Sequence, residues 1–332
     1  MKSKRMALIA VLLLTLVAAL PVAAGEKLIV YTSMKESLIG ALRDGFVKKH
    51  PEVSMDYQSA GAGKLMAKIA AERESGKILA DVIWTSEVPD FFKMRNDGML
   101  EVYKTSEFPH LLNPLGDDYD GSFTAARLGT LGIVYNTKYI KEEPKEWSDL
   151  TKKEYQGAFG IANPALSGTS YMSVALLAKQ FGWEFFDSLH KNKGRIGKGS
   201  GQVIDDTASG ELVACLGVDY ITNDKIQKGA PLALAYPPEM LVVPSPVAIF
   251  KNATNMSAAK KFVDYLLGKE AQTIIAEEGT LPARADVEVP AKFKMPKAAD
   301  ANERAIKINY NDIITGKEAT VKKFTDTMQG KK

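Results

Sequence analysis

The feature that most constrains this chain is a repeated unit in which an apolar strand stops on Ser or Thr and runs straight into a helix. KLIVYTS stops at Thr32-Ser33, and apolar residues then recur at helical spacing from Leu38 to Phe46. A strand at Val53 to Tyr57, the small-residue turn SAGAG, a helix from Lys64 to Arg73 and the strand ADVIWTS ending at Ser86 repeat the unit. Such alternation predicts an α/β architecture, a mostly parallel sheet with helices on both faces.

Further along, ARLGTLGIVYNT reads as an extended crossing from Ala126 to Asn136. A helix containing Trp147, the strand AFGIANP, helices from Tyr171 to Gln180 and Trp183 to His190, and strand-like segments at Leu212 to Asp219 and LALAYP follow. EMLVVPSPVAIF reads as a return crossing, and Ala258 to Leu267 and Lys269 to Glu278 as amphipathic helices back on the first lobe. A chain that crosses twice leaves both lobes discontinuous and places a cleft at the crossings. The expected division is a leader at 1–24, a first lobe at 25–128, a second at 129–240, a return to the first at 241–285, and C-terminal helices at 286–332 assigned to neither. Two lobes also suit the length, since the 308 residues left when 24 of the 332 are removed exceed what one core usually covers.

The leader reading rests on Lys2, Lys4 and Arg5, an apolar run from Met6 to Leu20 broken by Thr15, and the small residues Val22-Ala23-Ala24, which predict cleavage before Gly25. The run falls short of the roughly 20 residues that span a bilayer. Cys215, the single cysteine, lies in the apolar run LVACLGV, so neither a disulfide nor a lipid-bearing cysteine beside the cleavage site is expected. Export to the periplasm as a diffusible protein follows. Removing the leader takes three of the 43 Lys and Arg and none of the 40 Asp and Glu, leaving 40 against 40. That balance argues against nucleic acid or a membrane face as partner, because both need a concentrated basic field.

Open α/β sheets bind ligands at the carboxyl ends of their strands, where helix N-termini present free N–H groups. Four strand-to-helix corners are rich in hydroxyls and glycine: Thr32-Ser33, Ser59 to Gly63 with Gly61 between, Thr85-Ser86, and Ser167-Gly168-Thr169-Ser170. Each alone reads as ordinary helix capping. Together they point to an oxyanion site. Lys35, in the first turn of the first helix, is either a phosphate partner or a solvated lysine. Asp219-Tyr220 at a strand end and Glu239 after Pro237-Pro238 are candidates to accept hydrogen bonds from ligand hydroxyls or an ammonium, with Tyr220 packing over the ligand. Their plainer roles are a helix N-cap and a hinge hydrogen bond.

Other motifs carry no chemistry. SAGAGKLM lacks the first glycine and final Ser/Thr of a phosphate loop, GKGSG at Gly197 to Gly201 reads as a flexible turn, and Asp205-Asp206 as a helix start. His50, His110 and His190 are scattered, and no GxSxG elbow or acid/base carboxylate spacing is present. No enzymatic activity and no cofactor are expected.

The ordered set VYTSMKESLIGAL, SAGAGKLMAKI, ADVIWTSEVPDFF, GIVYNTKYI, NPALSGTSY, GELVACLGVDY, AYPPEMLVVPSPVAI and AAKKFVDYLLGKEAQ resembles the extracellular solute-binding proteins related to the ferric-ion binders. The resemblance covers nearly all of the mature chain. It implies the two-lobed type II periplasmic-binding-protein fold, each lobe a mixed sheet flanked by helices with the ligand cleft at the hinge, and closure of the lobes on the ligand. It also implies an ABC permease and ATPase in the inner membrane as partners, and the binding protein itself is expected to be a monomer. Relatives divide by cargo into ferric ion, sugar phosphates and other phosphorylated organic acids, aminoalkylphosphonates, thiamine and polyamines. Where the ferric binders carry a histidine, a glutamate and two adjacent tyrosines, this chain has Lys35, Ser86 and Asp219-Tyr220. Fe(III) thus loses much of its anionic ligand set, and a phosphoryl or phosphonyl group is favoured. SGTSY resembles the stretch that contacts phosphate oxygens in the organophosphate binders, and Asp219 and Glu239 stand where those relatives place acids. Met240 replaces a glycine common after that glutamate, a change expected to reshape the pocket. The expected function is capture of a small phosphorylated or phosphonylated anion for an ABC importer; the alternative is Fe(III) held by Tyr220, Asp219 and Glu239 with an exogenous anion.

Overall fold

A computed structural model of the chain describes residues 26–112, 115 and 119–331. The expected leader and its cleavage site lie outside these residues. The first strands and helices alternate as β1 (Glu26–Thr32), α1 (Glu36–Lys49), β2 (Val53–Ser59), α2 (Ala62–Glu74), β3 (Val82–Trp84) and α3 (Val88–Asn96). The long strand β4 (Thr124–Asn136) leads to β5 (Phe159–Ala162), α4 (Gly168–Phe181), α5 (Glu184–Lys191), β6 (Arg195–Gly197), α6 (Ser200–Ser209), β7 (Ala214–Val218), α7 (Asp219–Gln227) and β8 (Leu232–Ala235). A second long strand, β9 (Leu241–Ile249), returns the chain to α8 (Met256–Leu267), α9 (Lys269–Glu277) and β10 (Leu281–Pro282). Three helices close it: α10 (Ala298–Arg304), α11 (Tyr310–Thr315) and α12 (Lys317–Met328). Among the described residues no helix is long and apolar enough to cross a membrane.

The strands run in the order β2-β1-β3-β9-β4-β7-β5-β6, with β8 and β10 paired to β4 off that path. The sheet is mixed rather than mostly parallel. β1 pairs parallel with β2 and β3, and β5 with β6 and β7, but both long strands enter antiparallel. The strand-helix alternation signals only the parallel units; the long strands pair with partners far along the chain, and no local pattern sets their direction. β4 runs beside β9 from Thr124↔Val247 to Leu131↔Leu241, then beside β7 and β8 through Asn136. All 13 residues of β4 and all nine of β9 are buried. The two strands therefore form the covered middle of the molecule, as the unbroken apolar runs in their sequences require.

Each end has its own core. In α1, Leu38, Ile39, Leu42 and Phe46 line one helix face, as 3.6-residue periodicity dictates, and Phe46 meets Phe262 of α8 edge-on at 5.3 Å. At the other end Trp147, Tyr155, Phe159, Tyr171, Phe186 and Phe324 pack together. The Trp147 segment is a short 3-10 turn, Trp147–Thr151, whose indole Nε1 donates to the Glu239 carbonyl at 2.9 Å. In the C-terminal part, Phe324 of α12 packs edge-on against Phe186 at 5.4 Å, while Tyr310 of α11 lies tilted against Phe92 of α3 at 5.2 Å. α11 thus joins the two cores.

Phe262→Ala removes a fully buried ring with no polar partner. A loss of about 3–5 kcal/mol is expected for the transition of that end in urea unfolding, read by circular dichroism.

Candidate functional site

The strand-to-helix corners meet in a cleft of about 240 Å³. Side-chain-to-backbone bonds fix the first corners. Thr32 Oγ1 donates to the Trp84 carbonyl at 2.8 Å and accepts from Met34 N, so the ends of β1 and β3 are tied together. Ser86 N donates to Ser33 Oγ at 3.2 Å, setting these two residues side by side on the cleft wall. Ser86 Oγ also shares a hydrogen bond with Ser245 Oγ of β9 at 2.9 Å.

The floor is Arg127, on β4 and 1% exposed. Its Nη1 donates to Thr280 Oγ1 at 2.7 Å and stands 3.5 Å from Asp219 Oδ1. Nη2 reaches Ser86 Oγ only at 3.5 Å, and buried Nε has no hydrogen-bond partner. The guanidinium lies 4.6 Å from the centroid of the Tyr220 ring. Burial pushes the Tyr220 phenol up from its usual pKa, with Arg127 opposing and Asp219 adding to the rise.

The opposite wall is a triangle of hydroxyls. Ser167 Oγ lies 3.0 Å from Thr169 Oγ1 and 3.1 Å from Ser200 Oγ, and the last two are 3.3 Å apart. Ser167 is the N-cap of α4, accepting from Ser170 N, and Ser200 begins α6. Gly168 allows the walls to approach: a Cβ there would lie 2.6 Å from Glu87 Oε2 and 2.9 Å from Glu87 Cβ. Leading turns of α2 at Gly61-Ala62, of α4, of α6 and of α7 all border the cleft. Helix N-termini and a buried guanidinium are groups that attract oxygen anions.

Of the residues expected from sequence, Ser33, Gly61, Ser86, Ser167, Gly168, Thr169 and Tyr220 line this cleft. Ser59 instead donates to the Met34 carbonyl at 2.7 Å and braces the first corner, and Gly63 lies within the first turn of α2 with open space about it. Lys35 stands beside the cleft, 5.8 Å from the Tyr220 ring and 3.8 Å from Asp224 Oδ2. Burial lowers its pKa, with Asp224 opposing.

The two acidic candidates lie off the cleft lining. Asp219 lies fully buried beneath the floor, its carboxylate accepting from Thr130 N, Thr130 Oγ1, Thr280 Oγ1 and Tyr220 N. It holds the fold and has no oxygen left for a ligand. Glu239 is not on the cleft; its carbonyl takes the Trp147 indole, and its buried Oε2 has no hydrogen-bond partner. Met240 packs with Leu128, Val242 and Leu281 rather than against the cleft. Arg127, Gly199 and Ser200 are lining residues that sequence reading passed over. The available signal was a lone arginine in the otherwise uncharged run TAARLGTLGIVYN. GKGSG is the approach to α6, not a free turn, and Asp205-Asp206 lies inside that helix rather than at its start.

Behind the Gly168 contact, Glu87 forms an ion pair with Lys317 of α12. Asp90, one turn along α3, has its carboxyl pushed up to about 7, first by burial and then by Glu87, with Lys317 and Lys93 opposing.

The sequence profile of a family described as bacterial extracellular solute-binding protein matches residues 77–312. A putative 2-aminoethylphosphonate-binding periplasmic protein of Salmonella typhimurium is 24% identical over 300 residues, 85% of each chain. Among solved structures, the periplasmic binding protein AfuA from Actinobacillus pleuropneumoniae, with exogenous fructose-6-phosphate bound, superposes with a TM-score of 0.74 at 24% identity, over 92% of this chain and 99% of the other. Iron-bound HitA from Pseudomonas aeruginosa gives 0.75 at 22%, over 91% and 99%. The fold is the two-lobed periplasmic-binding-protein fold.

Because folding raises the Asp90 pKa, the folded protein keeps a proton that the unfolded chain loses between about pH 4 and pH 7. Stability falls as pH rises through that window. Asp90→Asn is expected to raise the unfolding free energy at pH 8 by about 2 kcal/mol, with the gain fading toward pH 4. Urea titrations at the two pH values check this.

Proposed function

We propose that this chain, which belongs to the bacterial extracellular solute-binding protein family, captures a small phosphorylated or phosphonylated organic anion in its cleft. Members of the family bind small solutes and deliver them to ABC permeases, and they are binding proteins rather than enzymes. The observation that carries the ligand reading is Arg127: a guanidinium 1% exposed, lining the cleft, with a partnerless Nε and a loosely held Nη2. A fork of this kind matches the oxygens of a tetrahedral dianion, and three hydroxyls and helix N-termini face it across the cleft.

The reading extends to the whole protein. The leader at 1–24 directs export to the periplasm, the mature monomer works with a permease and an ATPase, and nucleic acid is not a partner. The lobes comprise 25–128 with 241–285, and 129–240, closing on the ligand about β4 and β9. The segment 286–332 adds α12 to the second lobe, because its Phe324 packs on Phe186.

An Fe(III) site from Tyr220, Asp219 and Glu239 has less support. Asp219 is fully hydrogen-bonded, Glu239 lies off the cleft, and the Tyr220 phenol is held toward its neutral form by burial. Iron needs a tyrosinate and hard anionic oxygens.

Thr169→Ala with Ser200→Ala is expected to weaken organophosphate binding at least tenfold in calorimetry, with little change in melting temperature. Arg127→Met is expected to weaken it at least a hundredfold, and its melting curve shows whether the fold persists. Native mass spectrometry of freshly purified protein is expected to show a bound organic phosphate or phosphonate. A visible charge-transfer band on adding ferric citrate, lost in Tyr220→Phe, together with silence toward every organophosphate, overturns the reading.

A further inference from the structure

The cleft is electropositive at both ends, and among the described residues no carboxylate lines it. At one end stand Arg127, Ser33 and Ser86; at the other, the Ser167, Thr169 and Ser200 hydroxyls at the first turns of α4 and α6, helices of 14 and 10 residues. The nearby acids are each engaged. Asp219 accepts four hydrogen bonds beside Arg127, Glu87 is paired with Lys317, and Asp224 lies 2.8 Å from Lys228 and 3.8 Å from Lys35. Tyr220, the one aromatic lining residue, already has Arg127 at 4.6 Å and Lys35 at 5.8 Å from its ring centroid. A ligand ammonium would find no carboxylate, no open aromatic face and two cations close by. Burying it unpaired is costly, and like charges repel it further.

We infer that the ligand is a phosphoryl or phosphonyl compound whose other end is neutral or anionic, a hydroxylated or carboxylated carbon chain and not an aminoalkylphosphonate. The inference rests on the organophosphate reading and narrows it. The buried cation takes the dianion, and the hydroxyl triangle, with the first turns of α4 and α6, donates to oxygens at the far end. Each of the three hydroxyls has a single proton to give, and rotation turns it from a neighbouring hydroxyl to the ligand.

Two probes of nearly equal size separate the cases: 2-hydroxyethylphosphonate and 2-aminoethylphosphonate, which differ by a hydroxyl in place of an ammonium. Titration calorimetry on the mature protein at pH 7, with phosphonoacetate as the member that has an anionic group at each end and inorganic phosphate as the headgroup alone, reads the order directly. The hydroxyethyl and carboxymethyl compounds are expected to bind at least tenfold tighter than the aminoethyl compound. A smaller preference, or a reversed one, overturns the inference while leaving the organophosphate reading in place. Failure of all four to bind overturns both.

Discussion

The contact between Arg127 and Asp219 organises the centre of this molecule. Both side chains are buried, their closest approach is 3.5 Å, and removing two charges from water is expensive unless the remaining donors and acceptors are satisfied. On the carboxylate side they are. Thr130, Thr280 and Tyr220 supply four hydrogen bonds, and those residues come from β4, from the residue before β10, and from the start of α7. The carboxylate therefore pins three parts of the chain at one point. On the guanidinium side satisfaction is incomplete, since Nε is buried without a partner. An apolar pair of similar volume would hold the same elements at comparable stability. What an apolar pair cannot do is present a fixed fork of N–H groups to the cleft.

That fork is useful because of where β4 and β9 run. Paired antiparallel and fully buried, they run side by side through the middle of the sheet, and the units of parallel strand and helix fall to either side with their strand ends turned toward one cleft. Ser33 and Ser86 arrive from one side, Ser167 and Ser200 from the other. The approach is tight enough that Gly168 has no room for a side chain against Glu87. Short polar side chains at each corner perform two tasks: they satisfy backbone groups at the helix starts, and those at the surface of the cleft keep a hydroxyl for the ligand.

The corners were legible in the sequence because their signals are local. A strand ending on Thr-Ser before an apolar-periodic run specifies a strand-to-helix turn within a few residues, and seven of the twelve expected site residues do line the cleft. The acidic positions were not legible for the opposite reason. A strand-end aspartate can face out or turn under the sheet, and Asp219 turns under because Thr130 and Thr280, 89 and 61 residues away, meet it there. Arg127 was obscured by its surroundings, an uncharged stretch that also reads as plain buried strand. Gly199 and Ser200 were obscured by composition: three glycines in GKGSG suggest flexibility, while the backbone is extended at Gly199 and helical from Ser200.

Selectivity in such a cleft has to come from close-range geometry. With Lys and Arg nearly matched by Asp and Glu over the chain, there is no strong net field to draw an anion from a distance. The charges around the cleft largely answer one another, Lys35 to Asp224 and Lys317 to Glu87, so salt screens little that a ligand feels inside. Besides these pairs the cleft is lined by the Arg127 guanidinium, the hydroxyl triangle and the first turns of its helices. All of these donate hydrogen bonds. Donors held at close range discriminate by what a ligand can accept.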